Sequence, residues 1–105
     1  MGLENREQAF ENKFKHDEEL NFKINARRAK LFGQWAASQL NLSDELAEHY
    51  VKDVVNACFA KAGEPSVFEK VNSDLSKADI GLSDIAQRQK FDALLDEARQ
   101  QIISQ

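Results

Sequence analysis

The hydrophobic pattern over residues 17–37 predicts one long helix on which the rest of the chain packs. At roughly 100° per residue, Leu20, Ile24, Leu31 and Trp35 fall on one side of this helix. The apolar arc then continues through five further residues: Phe22, Ala29, Phe32, Ala36 and Leu40. A surface helix needs a narrower apolar stripe than this. We therefore predict that several helices contact it and that it is the central member of a bundle.

A second helix is predicted after a turn at residues 41–43. Ser43 is its expected N-cap, and acidic residues follow it at the positive end of the helix. Apolar residues recur every three or four positions from Leu46 to Ala62, which predicts one buried face that includes Val54, Cys58 and Phe59. Gly63 and Pro65 then indicate the end of the helix.

Two more amphipathic helices complete the pattern. Ser66 and Glu69 match a capping box that opens the third helix, and Ser83 is the expected cap of the fourth. The apolar face of the fourth helix runs from Ile85 to Ile102. Because the connections are short, neighbouring helices should be roughly antiparallel. The predicted fold is an all-α four-helix bundle over residues 20–105, with an N-terminal arm.

The arm, residues 1–19, is rich in charged helix formers and has few apolar anchors. Leu3, Phe10 and Phe14 share one narrow helical face. Three large apolar residues do not offset the ordering cost of so long a segment, and an isolated helix of this length is marginal in water. We predict that the arm is mobile, disordered or frayed when free, and becomes helical against a groove. The residues alone equally allow an arm that extends the central helix and packs its phenylalanines on the bundle.

The charge distribution argues against a protein that binds nucleic acid. The formal net charge is −4, whereas phosphate neutralisation requires a basic surface. Residues 1–20 carry three basic and six acidic residues, and residues 21–40 carry four basic and no acidic ones. An acidic arm is thus joined to a basic helix, so we expect a partner surface of mixed charge.

The single cysteine and the lack of long apolar runs bear on location. Cys58 has no partner for an intramolecular disulfide, which fits a reducing, cytosolic compartment. We expect no signal peptide and no membrane-spanning segment, because the chain lacks the apolar runs that both require.

Catalytic and metal chemistry find little support. His16 and His49 are far apart and match no metal-binding spacing, so a solvated acidic turn around His16 is favoured over a metal site. Cys58 lies on an apolar helix face, where a free cysteine usually packs as a small hydrophobe. Gly33 favours the close approach of another helix over mere slack. Nothing here points to an enzyme, and no cofactor is expected.

Four basic residues of the central helix, Lys23, Arg27, Arg28 and Lys30, form a candidate patch. A run of charge is most often a solvated face. The alternatives are pairing with acidic residues of this chain, an acidic partner surface, or the phosphates of a nucleotide.

Several runs of this sequence resemble one family. They are Arg6-Glu7, Ala9-Phe10-Glu11, Lys13-Phe14, His16-Asp17, Glu19-Leu20-Asn21-Phe22-Lys23, Ala26-Arg27-Arg28, Leu31, Gly33 and Trp35-Ala36-Ala37, with Ala98-Arg99 and Gln101-Ile102-Ile103-Ser104 near the end. The chain resembles the zeta subunit, the ATPase inhibitor of the alpha-proteobacterial F-type ATP synthase. The resemblance covers essentially the whole chain and is densest over residues 6–37.

The resemblance implies a function and a set of contacts. The arm would enter the catalytic head, between alternating catalytic and non-catalytic subunits near the central shaft, and block rotation in the hydrolysis direction. Leu3, Arg6, Phe10 and Phe14 would make the contacts, with Arg6, Glu7, Glu11 and Lys13 setting register through charge. The protein would then be held, through its partner, at the cytoplasmic face of the inner membrane.

A second hypothesis treats the chain as a small nucleotide-binding or sensing module without strong inhibitory activity. Weak binding of adenine nucleotide is implied for some members of the family. Arg27 and Arg28 are the candidate phosphate contacts.

Overall fold

The computed structural model describes the backbone of residues 2–104 and the side chains of residues 17–104. Within that range the chain forms four α-helices, which are α1 (Gly2–Gln39), α2 (Asp44–Asn56), α3 (Val67–Lys77) and α4 (Asp84–Ile103). A 3-10 turn, Ala57–Phe59, follows α2. Helix α1 contacts each of the other three, most extensively α2 and α4. The predicted all-α four-helix fold, with the first helix at its centre, is confirmed.

Helix α1 includes residues of the predicted N-terminal arm. It begins at Gly2 and continues to Gln39 without a break. The side chains before Asp17 lie outside the described range. The division into an arm at 1–19 and a bundle at 20–105 therefore stays a prediction.

The core is built around Phe32, which is fully buried. Its ring lies 4.9 Å from that of Phe91 and 6.3 Å from that of Phe68, centroid to centroid, and stacks on Trp35 at 5.5 Å. Aromatic pairs at these separations add to the stabilisation from area burial. Eight further residues form the same buried cluster: Ala29, Ala36, Val54, Val67, Val71, Leu75, Phe91 and Leu94.

Four large apolar residues predicted to lie on packed faces are instead exposed. Leu46 is 62% exposed, Ile85 72%, Phe22 52% and Phe59 59%. Leu46 and Ile85 lie in the first turns of α2 and α4. Helical periodicity identifies the apolar face of a helix but not how far its neighbour extends along that face, which explains the exposure of Leu46 and Ile85 in these first turns.

Helix α2 is shorter than predicted. The apolar pattern indicated a helix to Ala62, but α2 ends at Asn56 and tightens into the 3-10 turn. Ala60 then adopts an extended backbone, with φ −60° and ψ 136°. Gly63 has a φ of +91° in the loop before α3 rather than at a helix end. The last part of the predicted face is therefore connection, and this is why Phe59 is not buried.

All three serines occupy the predicted N-cap positions, and two of them make a capping hydrogen bond. The hydroxyls of Ser66 and Ser83 accept hydrogen bonds from backbone N–H groups three residues on, at 3.3 Å and 3.1 Å. Ser43 occupies the N-cap position of α2, but its side chain makes no capping bond. Asp44 has a φ of 31°, so the first turn there departs from the geometry that a capping bond requires.

Gly33 permits the close approach of α2, as predicted. A Cβ placed on Gly33 would lie 3.1 Å from Val54 Cβ and 3.3 Å from Val51 Cα. One of those atoms belongs to the backbone and the other is the branch point of a fully buried side chain. Neither can yield unless α2 itself shifts.

We expect Gly33→Ala to destabilise the bundle by about 1 kcal/mol. Overpacking costs roughly 1–3 kcal/mol, and the better helix propensity of alanine returns about 1 kcal/mol of it. Urea unfolding followed by circular dichroism measures the change. Ala26→Gly, at a half-buried position of the same helix, is a propensity control. A more stable Gly33→Ala variant would contradict the close-packing explanation.

Candidate functional site

The seven residues predicted to contact a partner all lie in the arm. They are Leu3, Arg6, Glu7, Phe10, Glu11, Lys13 and Phe14. All seven side chains lie outside the described range, so their role stays a prediction. The first described side chains after them, Asp17, Glu18 and Glu19, are all exposed.

The four residues of the candidate basic patch have different neighbours. Arg27 Nη1 donates a 2.9 Å hydrogen bond to Gln101 Oε1 of α4. Arg28 instead lies on the ring of Phe91. Lys30 borders a groove between α1 and α2, and Lys23 is exposed. The two candidate phosphate contacts, Arg27 and Arg28, thus have different neighbours.

Arg28 lines a cavity of about 330 Å³ between α1, α3 and α4. Its guanidinium carbon is 3.9 Å from the centroid of Phe91, and that of Arg88 is 3.9 Å from the centroid of Phe68. Guanidinium groups over aromatic faces at this distance make cation–π contacts, which restrain their orientation. Two oriented cations therefore border the same space.

The first turn of α3 also faces this cavity, through residues 66–69. Backbone N–H groups at a helix start favour anions. Burial lowers the pKa of Arg28, and nearby Asp92 offsets part of that effect. Glu69 also lines the cavity and opposes anion binding. Two guanidinium groups, a helix start and one carboxylate thus border the same cavity.

The Cys58 thiol borders the cavity but is not activated. Burial raises its pKa, and Arg28 opposes that effect only in part. The half-buried side chain packs against the hydrophobic cluster, and Sγ lies 3.9 Å from the backbone oxygen of Asn25. The nucleophile is the thiolate rather than the thiol, so this site favours packing over reactivity.

A second concave surface lies between α1 and α2. This open groove has a volume of about 730 Å³. Its apolar lining includes Ala37, Leu42, Val51 and Val55, and Lys30 is one of its polar residues. Lys30 therefore lies at a different surface from Arg28.

Metal-ligating side chains do not cluster anywhere among residues 17–104. His49 is exposed on α2, and the side chain of His16 lies outside the described range. In the part of the chain that the structure describes, no helix is long and apolar enough to cross a membrane.

Sequence reasoning missed Arg88 as a partner of Arg28. Arg88 lies on α4, sixty residues further along the chain. It meets the same cavity only because α3 and α4 pack against α1. Its spacing of three from Phe91 places both on one helix face, but that signal does not indicate what the face contacts.

Comparison with known proteins identifies a family. The model of a family described as ATPase inhibitor subunit zeta matches residues 1–101. The match includes both the arm and the bundle. Searches of curated proteins and of solved structures give no match.

Proposed function

The chain belongs to the ATPase inhibitor subunit zeta family, and from that membership we propose that it inhibits ATP hydrolysis by an F-type ATP synthase. The observation that carries the proposal is the extent of the family match, which begins at residue 1 and so includes the whole arm. The conclusion is an inhibitory subunit that works by binding, with no catalytic step of its own.

The proposed mechanism places the arm, residues 1–19, in the catalytic head. It enters between the alternating catalytic and non-catalytic subunits near the rotor shaft and folds into a helix there. Rotation in the hydrolysis direction is then blocked, while rotation in the opposite direction tends to expel the arm. Helix α1 supports this mechanism, because it joins the arm to the central helix of the bundle without a break. Strain on the arm would pass directly into a packed core.

Within the arm, Phe10 and Phe14 are the proposed apolar anchors, together with Leu3. Buried aromatic side chains tend to dominate the energy of protein interfaces. Arg6, Glu7, Glu11 and Lys13 would fix register and orientation through charge. The family resemblance implies these contact residues, and their residue types indicate which would act through apolar burial and which through charge.

The bundle, residues 20–105, is proposed to stay outside the cleft as an anchor. The packing between its helices supports that role. The Arg27 to Gln101 hydrogen bond joins α1 to the last turn of α4, and Phe32 fixes α1 to α3 and α4. The enzyme would hold the protein at the cytoplasmic face of the inner membrane.

Adding purified full-length protein to the cognate enzyme, depleted of this subunit, tests the proposal. We expect ATP hydrolysis to fall with added protein and ATP synthesis to be much less affected. Equal suppression of both directions would contradict the directional block. Unchanged hydrolysis would contradict inhibition itself.

A second candidate function is weak nucleotide sensing, which the cavity between Arg28 and Arg88 favours. Its volume of about 330 Å³ lies near the lower end of small-ligand sites, at roughly 300–1,000 Å³. Arg28 is one of the two predicted phosphate contacts. Arg27 points elsewhere, to Gln101.

If nucleotide binds there, amide signals around Arg28, Arg88 and the first turn of α3 should shift saturably with ATP up to millimolar concentration. We expect Arg28→Gln and Arg88→Gln each to weaken the response at least fivefold, since each removes one of two cations. Lys23→Gln, at an exposed position, is the matched control. A response unchanged in both arginine variants, or no saturable shift in the wild type, would exclude this site.

A further inference from the structure

Phe22 and Phe59 form an exposed aromatic pair where the arm joins the bundle. Phe22 lies on α1, three residues after the arm, and Phe59 closes the 3-10 turn that follows α2. Their ring centroids are 5.5 Å apart at an interplanar angle of 50°. Both rings are nevertheless more than half exposed, at 52% and 59%. A single exposed apolar residue is ordinary, but two adjacent aromatic rings form an apolar patch of the kind that marks interaction sites.

The position of Phe22 relative to the arm indicates what covers this patch. Phe22 lies three residues after the arm, which ends at residue 19. The backbone of helix α1 is unbroken from Gly2 to Gln39, so the arm and Phe22 belong to one helix. A surface that binds the arm therefore lies beside this patch.

We infer that the enzyme surface that takes the arm continues past residue 19 and covers Phe22 and Phe59. This inference rests on the function proposed above and extends its contact surface from the arm to the bundle. The chemistry of the partner follows from the neighbouring residues. Asp17, Glu18 and Glu19 are all exposed, three to five residues before Phe22. The partner should present an apolar pocket flanked by basic side chains.

Alanine variants of full-length protein test the inference through inhibition of the cognate enzyme. We expect Phe22→Ala and Phe59→Ala each to raise the concentration for half inhibition about tenfold or more, as loss of a buried interface aromatic does. Because the two rings are in contact, their substitutions should not act independently. The fold-increase in the concentration for half inhibition should therefore be smaller in the double variant than the product of the two single fold-increases. Leu46→Ala and Ile85→Ala are the controls, since both residues are exposed on other helices and should leave inhibition unchanged.

A second measurement does not depend on any variant folding. Hydroxyl-radical footprinting of the wild-type protein, free and bound to the enzyme, should show Phe22 and Phe59 several-fold protected in the complex. Leu46 and Ile85 should oxidise at the same rate in both states.

Three outcomes would overturn the inference. If Phe14→Ala weakens inhibition while both pair variants match the controls, the inference fails and the proposed function stands. If light scattering shows that Phe22→Ala and Phe59→Ala only convert a dimer into a monomer, the patch joins two copies of this chain instead. If the wild-type protein neither inhibits nor binds the enzyme, the proposed function fails, and the inference fails with it.

Discussion

Phe10→Ala and Phe14→Ala together should abolish inhibition while leaving the bundle folded. Each single substitution should weaken inhibition about 30-fold, because interface hot-spot aromatics contribute roughly 2 kcal/mol or more. The double variant should be inactive at any practical concentration. Dose–response curves of ATP hydrolysis, with the cognate enzyme depleted of this subunit, measure the loss.

The matched control for this pair is Gln8→Ala, which truncates a polar arm residue outside the predicted contact set. Circular dichroism and thermal unfolding of all variants should match the wild type, because the described core begins at Ile24. Undiminished inhibition by the double variant would remove Phe10 and Phe14 as the anchors. Loss of inhibition together with loss of the bundle would instead assign the two residues to folding.

The largest loss of stability should come from Phe32→Ala. Phe32 is fully buried and contacts Trp35, Phe68 and Phe91, so no single neighbour can fill the space it leaves. Large-to-small substitutions of buried phenylalanine cost about 3–5 kcal/mol. Since domains of this kind have a total stability of about 5–15 kcal/mol, the variant should be marginally folded or unfolded at 37 °C.

Denaturant unfolding gives the free energy of unfolding of both proteins. The m value, which is the slope of that free energy against denaturant concentration, should be the same in the variant and the wild type. Phe59→Ala is the control, since its ring is already 59% exposed, and it should cost less than about 1 kcal/mol. A small loss for Phe32→Ala would mean that the aromatic cluster repacks freely. That result would contradict a core fixed around this residue.

The sequence predicts the four helices well because their signals are local. The apolar arc of α1, the capping box at Ser66 and the cap at Ser83 each depend on residues a few positions apart. The same patterns fail where the outcome depends on a distant element. The apolar pattern predicts that Phe22 and Phe59 lie on packed faces. The chain instead leaves the helix at Ala60, and both residues are exposed.

In the candidate site, too, the sequence predicts what depends on neighbouring residues and misses what depends on distant ones. The sequence identifies Arg28 as a cation on the central helix, but its approach to Arg88 depends on how α3 and α4 pack against α1. Gln87 is a further example, because it is a polar residue that the structure buries. Its Nε2 donates a 3.1 Å hydrogen bond to the backbone oxygen of Leu82, which satisfies one of its two polar atoms.

The family resemblance indicates the function, which neither helical periodicity nor charge distribution indicates. Composition and spacing describe an acidic arm joined to a compact bundle, and that description fits many binding proteins. The runs between Arg6 and Ala37 are specific enough to indicate an ATPase inhibitor, and the family model matches residues 1–101. The mechanism proposed for the arm is likewise what the resemblance implies.

The central claim is that inhibition resides in the arm. ATP hydrolysis by the cognate enzyme, depleted of this subunit, should be measured with full-length protein and with a chain lacking residues 1–19. We predict inhibition by the full chain and none by the truncated one, whose bundle should remain folded. Equal inhibition by both chains would contradict the claim and assign the inhibitory surface to the bundle.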